Sequence, residues 1–104
     1  MEKVDFSKYG RSFQEDLAQL ILEDRSFSDQ ILEVLKLDFF EFRYLQVFVQ
    51  KIFDYRQQYG VHPTNKLMIT ILRSSLDDEN EAVKKQVRDF FARIHKAGFG
   101  VGGE

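Results

Sequence analysis

The chain contains no cysteine and no tryptophan, and a single proline interrupts it. Without cysteine, neither a disulfide framework nor a thiolate metal site can form. With one proline, long stretches stay open to helix. No run of about 18 apolar residues is present, so no segment reads as a membrane-crossing helix, and the opening MEKVDFSKYGRS lacks the apolar core of a signal peptide. The expectation is a cytoplasmic chain with no membrane partner, in the host cytoplasm if phage-encoded. Excess positive charge is missing too. The net charge is −2 and the pI ≈ 5.7, whereas a phosphate-binding face needs clustered cations, so no direct nucleic-acid binding is expected.

Site chemistry is equally sparse. There is no G-x-x-x-x-G-K-[ST], hence no phosphate cradle for ATP. His62 and His95, the only histidines, have no second ligand at metal spacing. The acids Asp77, Asp78, Glu79 and Glu81 lack the central glycine of a calcium loop and read as a solvated helix start. Lys84, Lys85 and Arg88 form a small basic patch, better explained by pairing with neighbouring acids. No catalytic residue, cofactor-binding residue or metal ligand is expected.

What is abundant is phenylalanine, eleven residues of it, within an ordinary 43% apolar content. Residues 1–11, polar with isolated Val4, Phe6 and Tyr9, read as an irregular arm docking through its aromatics. Ser12 with Glu15 has capping-box spacing, and Phe13, Leu17, Leu20 and Ile21 follow at helical intervals, which predicts a first helix over 13–23. Ser26 with Asp29 repeats the signal for a second, with Phe27, Ile31, Leu32 and Leu35 as its apolar face. Asp38, with Glu41 at the N3 spacing, predicts the cap of a long third helix over 39–59 that ends at Gly60. His62-Pro63 enforces extended backbone before Thr64, the expected cap of a fourth helix over 65–74. A fifth starts in the acidic stretch, carries Val83, Val87, Phe90, Phe91 and Ile94, and stops at Gly98. Residues 98–104, with four glycines, read as a flexible tail or linker. The expected fold is all-α, a compact orthogonal bundle of about five helices around the long central one, in one domain over 12–97.

At about 100° per residue the central helix carries two apolar faces. Leu45, Phe48, Val49, Ile52 and Phe53 form one, the expected core; Phe40, Tyr44, Val47 and Tyr55 form the other. Two readings compete for the second face: enclosure by neighbouring helices, and a protein interface, where Tyr and Phe are enriched. Phe40, Tyr44, Val47 and Tyr55, with Val83, Val87, Phe90 and Ile94 of the fifth helix, are the candidate contact surfaces.

The order of these signals resembles the N-terminal domain of DnaB-type hexameric replicative DNA helicases, most nearly those of T4-like phages. The resemblance rests on an L-x-x-x-I-L-x-D first helix over Leu17, Ile21, Leu22 and Asp24, and on the entry Asp38-Phe39-Phe40. It continues through the long-helix segment YLQVFVQKI, then Gly60-Val61-His62-Pro63 and a helix from Leu67 to Leu76, and covers about residues 12–76. It implies a DnaB N-terminal-domain-like fold and a non-catalytic scaffold that packs against copies of itself in the ring's collar. It also implies docking to primase or helicase loader during DNA replication. ATP and Mg are implied only for a helicase domain whose motifs this chain lacks. Whether the chain is itself part of an ATP-dependent enzyme stays open on sequence. The alternative is a free-standing small helical phage regulator acting by protein–protein binding. A reading frame continuing past Glu104 into a phosphate-cradle motif would separate the two. A helix-turn-helix reading of the fourth helix is weak, because Lys66 and Arg73 are its only cations.

Overall fold

The computed structural model describes residues 6–99, with side chains to residue 95. Among these residues are five α-helices, α1 Gly10–Glu23, α2 Arg25–Ile31, α3 Arg43–Tyr59, α4 Asn65–Ser74 and α5 Glu81–Phe99, with short 3-10 turns at Ser7–Tyr9 and Leu37–Phe39 and no strand. The all-α expectation holds. Contacts cluster into two compact units, Met1–Pro63 and Thr64–Glu104. None of the described helices is long and apolar enough to cross a membrane.

In the first unit, α1 packs on α2 and α3. It begins earlier than the Ser12 signal predicts. Gly10, at φ 86°, lets the chain leave the preceding 3-10 turn straight into helix, a backbone state costly for residues with a Cβ. Ser12 therefore lies within the helix, and Glu15 accepts the Tyr44 hydroxyl. At the other end, the carbonyls that any helix leaves open find specific partners. Beyond the last ladder bond, from the Asp24 N–H to Leu20 O at 2.9 Å, Ile21 O accepts from the Ser28 hydroxyl and Leu22 O lies 2.7 Å from His62 Nε2. Asp24, not Ser26, caps α2, its carboxylate accepting the Phe27 N–H at 3.0 Å. The break between the two helices is one residue long, so the residue that ends α1 also starts α2.

The third helix starts later than predicted. Residues Leu37–Phe39 form a 3-10 turn, and both Phe40 and Phe42 are extended, with no side chain capping α3. The reason lies in Gln14, which is fully buried. Its Oε1 accepts the Glu41 N–H at 2.8 Å, while its Nε2 donates to Phe6 O at 3.2 Å and to Glu41 Oε1 at 3.3 Å. Glu41 is thus held by α1 and cannot serve Asp38 as a capping partner. Around this amide, the Phe6 ring meets Phe13, Phe39 and Phe40 edge-on at 5.8, 5.6 and 5.3 Å, so the N-terminal arm does dock through an aromatic. Val4 lies outside the described residues. Once under way, α3 is enclosed on both faces: Leu45, Phe48, Val49 and Ile52 are fully buried, and Tyr44 and Val47 nearly so. It ends as predicted at Gly60, at φ 73°, whose N–H donates to Arg56 O at 2.8 Å.

In the second unit, Thr64 accepts the Leu67 N–H at 3.1 Å and opens α4 as expected. Met68, Leu72 and Leu76 are buried, and Asn80 Oδ1 receives the Val83 N–H at 2.9 Å at the start of α5. α5 runs to Phe99, past the stop expected at Gly98, since a glycine weakens a helix by about 1 kcal/mol without ending it. The remainder of the glycine-rich tail lies outside the described residues.

Phe48 is the deepest test of the first unit's packing. Phe48→Ala should destabilise the chain by about 3–5 kcal/mol in urea unfolding, against less than about 0.5 kcal/mol for Val34→Ala at a 68%-exposed position.

Candidate docking surfaces

Of the eight contact residues expected from sequence, seven are buried in this fold. Phe40 packs on Phe6, Tyr44 reaches Glu15 through its hydroxyl, and Val47, Val83, Val87, Phe90 and Ile94 are core. They offer no open face for docking, because the two-sided pattern of α3 and the stripe of α5 are used up within the fold. Tyr55 alone is half-exposed, with its ring 4.6 Å from that of exposed Tyr59.

The surplus apolar face is on α1. Phe13, Leu17, Leu20 and Ile21 recur at helical intervals, yet the buried side of α1 is Gln14, Ala18, Ile21 and Leu22. Burying Gln14 turns Phe13 and Leu20 outward, to 41% and 40% exposure, with half-buried Leu17 between them. Tyr9, 54% exposed, extends the stripe by one turn, its ring 5.0 Å from that of Phe13. Phe13, Leu17 and Leu20 recur at helical spacing along one side of α1, and Tyr9 precedes them in the 3-10 turn. Charges of opposite sign flank its two ends. Lys8 sits over the Tyr9 ring at 5.3 Å and Arg11 over Phe42 at 4.6 Å, whereas Glu23 and Asp24 close the other end. The sequence did contain a signal for this arrangement: Gln14 falls between apolar positions of α1, and a polar residue there competes with Phe13 for the core side.

A second polar assembly, not foreseen from sequence, ties α2 to α3 and to the loop beyond it. Arg56 pairs with the Asp29 carboxylate and lies 2.7 Å from His62 Nδ1, while His62 Nε2 contacts Leu22 O. Since the guanidinium can only donate, Nδ1 accepts, and the ring proton sits on Nε2, directed at the carbonyl. Each group has a structural partner, which makes His62 a latch rather than a metal ligand. Among the described residues, no three His, Cys, Asp or Glu side chains are grouped to hold a metal ion.

Compared with protein-family models, with curated proteins and with solved structures, the chain gives no match.

The Arg56 hydrogen bond, reinforced by the charges of Arg56 and Arg25, holds the Asp29 carboxyl below its ordinary value of 3.8. A depressed folded-state pKa stabilises in full above the unfolded value and is lost as pH falls through the folded one. Asp29→Asn should therefore lower the urea midpoint above pH 3.8, and the gap to the parent chain should close as acid titrates Asp29. Because the pair is exposed, added salt should shrink the gap.

Proposed function

We propose that this chain is a non-catalytic helical scaffold domain of the kind found at the N-terminus of DnaB-type phage replicative helicases, working by self-association and by docking primase or helicase loader. The observation that carries the self-association is the Tyr9, Phe13, Leu17, Leu20 stripe, an apolar helix face left open while both faces of the central helix are enclosed. The resemblance over residues 12–76 supports the helicase context.

The stripe suits a second copy of itself. An isologous interface sets the same patch against itself about a two-fold axis. With two α1 helices antiparallel and centred near Asp16 and Leu17, Phe13 of one copy meets Leu20 of the other. This register sets the apolar side chains of the two copies against one another along the seam. α1 is about 21 Å long at 1.5 Å per residue, enough for a short helix-on-helix seam.

Analytical ultracentrifugation tests this. The parent chain should associate reversibly, and Leu20→Glu should weaken association by at least about tenfold while leaving helix content by circular dichroism unchanged. A strictly monomeric parent chain at high concentration that also fails to bind a cognate primase or loader would overturn the proposal.

A further inference from the structure

The second unit carries an apolar depression of about 290 Å³ between α4 and α5, lined by Ile69, Leu72, Arg73, Arg88, Phe91 and Ala92. Its floor is firm. Leu72 and Phe91 are buried, and the Phe91 ring stacks on His95 at 5.5 Å. Its two sides are arginines. Arg88 is anchored by its Nε, which donates to Leu72 O at 3.2 Å, and the residue is otherwise exposed. Arg73, in the last turn of α4, is exposed.

The neighbouring cations are handled differently. Lys84 pairs with Glu81 at 3.2 Å and Lys85 with Asp89 at 2.9 Å. Arg73 and Arg88 enter no ion pair among the described residues, although Asp77 and Asp78 lie three and four residues beyond the end of α4. A guanidinium fork matches a carboxylate in two parallel hydrogen bonds, and an apolar floor between two such forks selects a ligand that is apolar in the middle and acidic at its edges. A polyanion fits less well, since the apolar floor between the two arginines offers nothing to a continuous phosphate backbone.

We infer that the α4–α5 groove is a docking site for an amphipathic helical segment of a partner protein, one that seats an apolar side chain over Leu72 and Phe91 and presents carboxylates to Arg73 and Arg88. This rests on the reading of the chain as a protein-binding module and assigns it a second surface, remote in sequence from the α1 stripe.

The probe is a fluorescein-labelled amphipathic peptide with leucines at i and i+4 along one face and glutamates flanking them, read by fluorescence anisotropy against a counterpart with every glutamate replaced by glutamine. The glutamate peptide should bind the full chain, and both the glutamine peptide and Arg73→Glu should weaken binding by at least about tenfold. Arg73→Gln, milder for an exposed helix position, should give a smaller loss in the same direction. Ala92→Phe, which fills the groove, should abolish binding with helix content retained. Leu20→Glu should bind the peptide like the parent chain, which separates this surface from the self-association face. The inference is overturned if the glutamate peptide does not bind, if both peptides bind equally, if Arg73→Glu changes nothing, or if a single-stranded oligonucleotide competes the peptide off in an Arg73-dependent way.

Discussion

The first unit depends on a glutamine amide enclosed among phenylalanine rings. A buried amide that leaves a donor or acceptor unmet costs about 1–3 kcal/mol, so the structure around Gln14 must supply partners for both ends of it. Those partners come from two directions, Phe6 O on the N-terminal arm and the backbone and carboxylate of Glu41 before α3. Several features follow. The arm is drawn against Phe39 and Phe40, the backbone is extended at Phe40 and Phe42, and α3 begins only at Arg43. The rotation of α1 that brings Gln14 inward also turns Phe13 and Leu20 toward solvent.

The same constraint recurs at the C-terminal end of α1, where two open carbonyls, of Ile21 and Leu22, are met by Ser28 and His62. Each partner comes from a different stretch of chain, so the end of α1 fixes the start of α2 and ties down the loop that follows α3. Arg56 completes the arrangement by joining Asp29 to His62. Polar groups therefore bracket α1 at both ends, while its middle is apolar on two sides. One side is consumed by packing on α2 and α3; the other is the stripe proposed for a second copy.

In the second unit the division is between charges that are neutralised locally and charges that are not. Pairs spaced three or four residues apart on α5 occupy Lys84 and Lys85, as helix geometry favours. Arg88 is instead fixed by a carbonyl and Arg73 projects from α4, leaving two forks beside an apolar depression. Such an arrangement gives specificity through charge at the rim and affinity through burial at the centre.

By itself the sequence determined the elements whose signals are local. Period and punctuation gave five helices in the right order, the Thr64 cap and the Gly60 terminus, because capping and left-handed termination involve residues within one turn of each other. The core side of α3 was legible at Leu45, Val49 and Ile52 for the same reason. Tertiary structure alone decided which apolar faces stayed open. Phe40, Tyr44 and Val47 resemble an interface when α3 is considered in isolation, and Phe13 and Leu20 resemble core when α1 is. The outcome was reversed by Gln14, whose partners lie 8 and 27 residues away in the chain. A periodic pattern measures how much apolar surface a helix carries. Which part of it meets solvent depends on hydrogen bonds that close over long sequence separations, and no window along the chain contains them.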